Sequence, residues 1–410
     1  MAVLIISLLS GWAKAAVLYE VVNLDTLVGA TKGTVGTINQ AGQIVGWAVP
    51  ASGTLDHAMF WNNNAGPESD IGNVDGSYAY GINAVGQIVG LALTGSAGFW
   101  TNAASSPKVL TVPSGTATSL ALKINDAGQI VGVASFPGYP NHAAYWTNNS
   151  SMAVDLGTLG VITNGSEANA INHGGEIVGY AYANKPNPQP EPHRAAYWAS
   201  PGSAPSDLGT LGGPTATATA INDSGEIVGY ADTTTNTSAA YWTSGSSSAI
   251  VLGAVDCTNT AALALNNLGQ IVGFAYTSYR AGPSACIWMN HQQLAQDLNG
   301  LIPTNSGWVL NDATAINGLG EIGGAGLFNG QPHAFALIPI ALNITPIGGE
   351  FSLSFPTAVG VKYRLQSCTN LIAPVWNTVV TNILGWGGVT NFAAGPTAVR
   401  EQFYRLTIGN

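Results

Sequence analysis

Charge is scarce in this chain. Only 8% of its 410 residues are Asp, Glu, Lys or Arg, where about a quarter is usual for a globular domain. Cations are scarcest, with 11 Lys and Arg against 21 Asp and Glu and a formal net charge of −10. Nucleic acid requires clustered Lys and Arg to neutralise phosphates, so no nucleic-acid partner is expected. An anionic membrane surface is disfavoured for the same reason. The three cysteines, Cys257, Cys286 and Cys368, are too few for a disulfide framework. No segment is apolar over the length needed for a transmembrane helix. Sustained 3.6-residue periodicity is also missing, which argues against helices. Yet 46% of residues are hydrophobic and 52 are Gly, which excludes a highly charged disordered chain.

What is present is a repeat. The phrase Ile-Asn-x-x-Gly-Gln/Glu-Ile-Val-Gly occurs seven times, with its Asn at 39, 83, 125, 172, 222, 266 and 317. The sixth copy begins with Leu265, and the last reads Ile322-Gly323 in place of Ile-Val. A period of about 46 residues built from short strands marks a β-propeller blade, so seven copies predict seven blades. In the fifth copy the expected strands are Ala218–Ile221, Glu226–Ala231, Ala239–Trp242 and Ala249–Leu252. Asn222-Asp223-Ser224-Gly225 supplies the first hairpin. Gly46, Gly90, Gly132, Gly179, Gly229 and Gly273 inside the second strands are expected to let neighbouring blades approach near the axis. Third-strand aromatics such as Tyr145-Trp146 and Tyr241-Trp242 are read as packing between blades. Fourth-strand phrases such as Asp207-Leu208-Gly209 recur, but the last repeat has none of its own. The N-terminal segment from Tyr19 to Leu27 is expected to supply it and close the ring.

Together, Asp-Leu-Gly-Thr-Leu-Gly (Asp155–Gly160, Asp207–Gly212), the Ala-x-Ala-Ile-Asn-x-x-Gly-x-Ile-Val-Gly phrase and the His-Ala triplets resemble the HAF repeat of bacterial extracellular proteins. The triplets are His57-Ala58-Met59, His142-Ala143-Ala144 and His333-Ala334-Phe335. The resemblance spans roughly residues 17–339. It implies a propeller and an extracellular location, and brings no catalytic or binding residues with it.

The ends differ from the repeat. Ala2–Leu9 is an apolar run too short to span a bilayer, and Ala13-Lys14-Ala15 fits a small-x-small cleavage site. Residues 1–15 are therefore read as a signal peptide and 16–339 as the propeller. No basic residue precedes the apolar run; the competing reading is a buried first strand. Residues 340–410 lack the Ile-Asn phrase. Gly349–Pro356 and Gly360–Ser367 alternate as half-buried strands do, and Trp376, Phe392 and Phe403–Leu406 add core candidates. A small β-sandwich-like module is expected there, resembling one found on secreted bacterial proteins.

Chemistry is mostly absent. No Gly-x-Ser-x-Gly elbow, P-loop or His-Glu-x-x-His motif occurs. A sialidase-type Arg clamp is missing too, since the repeats contain only Arg194 and Arg280. His57, His142 and His333 occupy equivalent repeat positions, with His193 displaced by one. That repetition suggests a bond to neighbouring backbone. Asp126 and Asp223 are read as turn caps, and Asp155, Asp207 and Asp297 as acceptors of backbone bonds. Glu176, Glu226 and Glu321 replace the repeat's Gln, which argues against an essential charge. Cys286 replaces a small Ala and reads as a buried thiol; Cys257 could pair with it. No catalytic residue, metal site or cofactor is expected. Calcium at an Asp/Asn-rich turn is the alternative, and full calcium-loop spacing is missing.

Strand alternation places every second-to-third loop on one face and the Asn-x-x-Gly hairpins on the other. Those loops vary most and include the Pro-rich Asn184–Pro192. Tyr139, His142, His193, Tyr279 and Arg280 on that face are the candidate ligand-binding residues. The expected function is a secreted or cell-surface, non-catalytic protein that binds a glycan, polymer or protein partner. The alternative is an extracellular carbohydrate-active hydrolase or lyase on the same scaffold, which would need converging acidic groups.

Overall fold

The computed structural model describes residues 4–7, 18–24, 31–50, 55–62, 69–72, 75–93, 95–160, 165–183, 192–277, 282–303, 305–340, 343–347, 350–356, 362–368, 375, 377–384, 389–394 and 403–409. These fall into two compact units. One comprises Asn23–Leu298 with Val309–Ala336, and the other Met1–Val22, Asn299–Trp308 and Leu337–Asn410.

Seven four-stranded antiparallel sheets form a seven-bladed propeller. The fifth blade runs Ala216–Ile221, Ile227–Asp232, Thr237–Trp242 and Ile250–Val251, close to expectation. The seventh sheet is ordered Leu18–Asn23, Gln331–Ile340, Ile322–Phe328, Trp308–Ile316. The N-terminal strand therefore supplies the missing fourth strand, and Leu24 N donates to Ala334 O just beyond it at 3.1 Å.

The Ile-Asn phrase owes its repetition to hydrogen bonding. Each Asn carbonyl oxygen, Oδ1, accepts the amide N–H of the residue four ahead in the turn, as in Asn222 with Glu226 N at 2.9 Å. Its Nδ2 donates twice. One bond goes to the Gln or Glu side chain of the same turn, for example Asn39 to Gln43 Oε1 at 2.8 Å and Asn222 to Glu226 Oε2 at 2.7 Å. The other leaves the blade for the backbone carbonyl of the next blade's Asn. The chain of donors runs Asn39, Asn83, Asn125, Asn172, Asn222, Asn266 and Asn317, and the last returns to Asn39 O at 3.0 Å. This is a closed belt with one direction around the axis. All seven Asn are buried, so each donor is satisfied where water cannot substitute. Gln and Glu interchange because the belt uses only an Oε acceptor. The turn glycines sit at φ near +80°, as Gly225 does, where a Cβ would be strained.

Packing between blades has its own repeat. A third-strand Trp is buried against a second-strand Val of the preceding blade: Trp100 with Val45, Trp146 with Val89, Trp198 with Val131, Trp242 with Val178 and Trp288 with Val228. Its indole N–H then donates backwards to a carbonyl at the preceding blade's outer edge, such as Trp198 to Leu156 O and Trp242 to Leu208 O, both at 2.8 Å. Burying an aromatic ring while satisfying its polar atom explains the choice of Trp over Phe.

Three expectations need correction. The second-strand glycines serve their own blade, not its neighbour. A Cβ on Gly46 would fall 2.0 Å from Thr34 O, and on Gly229 1.9 Å from Thr217 O. A β-bulge in the first strand, between Val35/Thr37 and Ala218/Ala220 respectively, folds that backbone over the glycine. Two of the three equivalent histidines bond carboxylates of their own or the adjoining segment. His57 contacts Asp70 at 2.6 Å and Asp75 at 3.0 Å, and His142 Nδ1 meets Asp155 at 3.0 Å. Asp126 and Asp223 accept backbone N–H groups of the preceding blade, Ala84 at 2.8 Å and His173 at 2.9 Å. Asp155 and Asp207 do accept local backbone donors, Gly157 N at 2.8 Å and Gly209 N at 2.7 Å. Cys257, Cys286 and Cys368 are free thiols, with Cys286 buried as expected.

In the other unit, one sheet is ordered Leu4–Ser7, Phe403–Gly409, Lys362–Cys368, Asn377–Leu384, and a second Asn343–Ile347, Glu350–Pro356, Val389–Ala394. Leu353, Phe355, Leu365, Cys368 and Ile383 are buried, and Phe355 stacks on Phe392 at 6.1 Å. Trp376 and the Ala13–Ala15 cleavage site lie outside the described residues. No described helix is long and apolar enough to cross a membrane.

The belt distinguishes two otherwise similar substitutions. Asn125→Asp removes both Nδ2 hydrogen bonds, to neutral Gln129 Oε1 and to Asn172 O, and should cost at least about 2 kcal/mol. Asn172→Asp also sets a carboxylate against Glu176, whose Oε2 now lies 2.6 Å from Asn172 Nδ2, and should cost more at pH 7. Urea unfolding of both variants measures this; equal losses would refute the account.

Candidate functional site

The first strands, Thr31–Ile38, Tyr78–Ile82, Ser119–Ile124, Ser166–Ile171, Ala216–Ile221, Cys257–Leu265 and Trp308–Ile316, are innermost. Residues at or beside their bulges bond to the adjacent first strand. Thr37 Oγ1 donates to Tyr80 O at 2.7 Å, Asn169 Nδ2 to Ala218 O at 2.9 Å, Thr219 Oγ1 to Ala262 O at 2.8 Å and Thr314 Oγ1 to Val35 O at 2.6 Å. Lys123 reaches furthest. Its Nζ donates to Tyr80 O and, two blades away, to Gly36 O, both at 3.2 Å, and to Thr37 Oγ1. The residue is half-buried, and its ammonium is surrounded by protein. That desolvation lowers its pKa to about 8.

Towards the second-to-third loops the strands become aromatic. The register accounts for this. Second strands run from the Asn hairpin towards that face, so their fourth and sixth residues lie near it. First and third strands contribute their opening residues. Trp47, Tyr78 and Tyr80 form one cluster, with Trp47 5.6 Å from Tyr78 and 5.2 Å from Tyr80. Tyr180, Tyr182 and His193 form another, with Tyr180 5.1 Å from His193. All six are half-buried. Tyr78 hydroxyl lies 3.2 Å from Asp56. Burial lifts Tyr80 to about 12, and the Tyr78, Asp56 and Glu167 charges act in the same direction. Glu167 is raised by burial, partly offset by the Tyr180 hydroxyl. Asp312 is likewise raised by burial against the Ala325 N–H.

The candidate residues read from sequence separate here. Tyr139 is 40% exposed and stacks on His142 at 5.5 Å with ring planes 13° apart. His142 itself is buried, so it supports Tyr139 and offers little surface. His193 Nε2 lies 3.0 Å from Thr217 Oγ1, and its pKa is lowered by burial against the opposing Asp232 charge. Tyr279 and Arg280 lie outside the described residues, as does most of the Asn184–Pro192 loop. Trp47, Tyr78, Tyr80, Tyr180 and Tyr182 were missed because they belong to strands. The available signal was that the residue after each second-strand Gly changes freely, from Trp47 to Leu91, Val133, Tyr180, Tyr230, Phe274 and Ala325. Among the described residues no group of three His, Cys, Asp or Glu is placed to hold a metal.

No protein-family profile matches the chain, and no curated protein matches it. Among solved structures it is similar to a protein described as a TolB from Agrobacterium tumefaciens, at 9% identity, over 85% of this chain and 99% of that one, TM-score 0.42. It is also similar to YCF48 bound to D1 peptide, at 10% identity, over 78% and 96%, TM-score 0.48. A third is an exo-β-1,3-galactanase from Phanerochaete chrysosporium, at 9%, over 92% and 96%, TM-score 0.26. The propeller assignment itself rests on the sheet order and the asparagine belt.

Lys123 gives a pH signature. Its folded pKa lies below the unfolded value of 10.5, so the unfolded chain binds the proton more tightly. Its contribution to stability is therefore lowest below pH 8 and rises as pH climbs from 8 towards 10.5. The stability of the natural protein relative to Lys123→Met should grow across that window in chemical unfolding. A flat difference would show that the ammonium is not desolvated.

Proposed function

We propose that this protein is an exported, non-catalytic binding protein whose propeller presents its loop face to a glycan, polymer or protein partner. One observation carries this reading. The half-buried rings of Trp47, Tyr78, Tyr80, Tyr180, Tyr182 and His193 form two clusters at the loop end of their strands, and Tyr139 of the third blade's loop is exposed. An aromatic ring left half-exposed at the end of a rigid strand is preorganised for stacking, since little side-chain freedom remains to be lost on binding. The resemblance to HAF repeats supports an extracellular setting, and Tyr279 and Arg280, which lie outside the described residues, belong to the proposed contact set.

Export makes the first test. Secreted native protein should begin near Ala16 by mass spectrometry; a chain retaining Met1 in the cytoplasmic fraction would overturn it.

Recognition makes the second. Mature protein is screened on an array of glycans, polymers and peptides. Trp47→Ala, Tyr139→Ala, Tyr180→Ala and His193→Ala combined should weaken the best hit at least tenfold, at about 0.5–1.5 kcal/mol per lost ring contact, with the fold intact by circular dichroism. Unchanged affinity would place the site elsewhere. Sustained turnover of a polysaccharide hit would establish an enzyme instead.

A further inference from the structure

The opposite face, which carries the Asn hairpins, holds a groove of about 660 Å³ between the fourth and fifth blades, a volume within the range of small-ligand sites. It is bounded by the outer edge of the fourth blade, Ser206 to Gly209, and by the fifth blade's third-to-fourth loop, Ser244 to Ser248, with Tyr197 and Glu176 at its inner side.

The next pair of blades shows why this groove is open. There the corresponding loop follows Trp288. His291, three residues on, stacks on Tyr241 at 4.4 Å with planes 10° apart. Leu294, six residues on, lies over Gly253, with Cδ2 2.7 Å from where a Cβ would be. Counted from Trp242, the same two positions are Gly245 and Ser248. The loop with Gly245 comes down onto Tyr197, since a Cβ there would fall 2.3 Å from the ring. Ser248 is too short to cover Gly209 as Leu294 covers Gly253. One crevice is thus closed by the chain's own side chains, and its neighbour is left empty and lined with hydroxyls.

The lining limits the occupant. Among the described residues no Lys, Arg or His lines the groove, and two carboxylates do, which opposes an anion. Those carboxylates are already engaged. Glu176 accepts from Asn172 at 2.6 Å and from the Tyr197 hydroxyl, and Asp207 from Gly209 N at 2.7 Å and Arg194 Nε at 3.1 Å. A cation therefore gains no uncommitted carboxylate pair. What remains is the backbone of Leu208 and Gly209 and the part of the Tyr197 ring that Gly245 leaves uncovered, beside a run of serine hydroxyls. This matches a ligand with C–H faces and many neutral hydroxyls.

We infer that the groove between the fourth and fifth blades is a second binding site, separate from the loop face, for a neutral carbohydrate. The test is isothermal titration with cellohexaose, xylohexaose, chitohexaose and polygalacturonate, in the Trp47→Ala, Tyr139→Ala, Tyr180→Ala, His193→Ala background, which weakens binding at the loop face. At least one neutral oligosaccharide should bind and polygalacturonate should not. Ser248→Leu, which copies Leu294, should weaken binding at least tenfold. The reciprocal His291→Gly, Leu294→Ser variant should add a second equivalent site between the fifth and sixth blades, and reads out even if Ser248→Leu fails to fold. Absence of binding by every neutral probe, preferred binding of polygalacturonate, or affinity and stoichiometry unmoved by both variants would overturn the inference.

Discussion

Everything in the propeller hangs on the amide of one asparagine per blade. A side-chain amide has two N–H donors and one carbonyl acceptor, and this position uses both kinds of group. The acceptor shapes the hairpin, one N–H holds the Gln or Glu of the same turn, and the other crosses to the next blade. Ser could shape the turn and Asp could accept its amides, but neither has a second donor to send outwards. Local turn chemistry and assembly of the ring are therefore joined in one side chain. The Trp indoles fasten the periphery in the same blade-to-blade manner, so the ring is held at its inner turn and at its rim.

This explains how much was legible beforehand. The strands, the count of blades and the closing N-terminal strand could be read because a repeat multiplies a weak local signal sevenfold: a lone Asn-Asp-Ser-Gly is only a turn, whereas seven at blade spacing make a ring. The function of each repeated residue was less legible. Gly46 and its equivalents were recognised as sites of close approach, but the approaching backbone belongs to their own blade, because a bulge of one residue is invisible in a spacing that already varies. Asp126 and Asp223 were recognised as caps, but they cap the neighbour's turn, a relation that no local window contains.

The candidate site was harder still, for a physical reason. Sequence reading treats variation as a loop property, and so it settled on Tyr139, His193 and the segments around them. In the folded ring the variable rings of Trp47 and Tyr180 stand on strands, at positions whose neighbours are fixed by packing. Tyr139 was identified and its exposure fits a contact role. His142 was identified for its repetition, and burial turns it into a support for Tyr139. The groove beside Tyr197 depended on an omission, the small residues at 245 and 248, and an omission is visible only against the filled crevice next to it.

The belt also has a consequence for how such a chain could change in length. A closed cycle of seven identical contacts near 3 Å leaves no donor or acceptor spare at any point, so it has no end at which to grow. Duplicating or deleting a single blade would alter the angle between every adjacent pair of asparagines at once, instead of adding or removing one interface. Residues could be gained freely in the outer loops, where spacing already varies between blades. The number of blades, by contrast, could change only as a concerted step, with all hairpins retilted together.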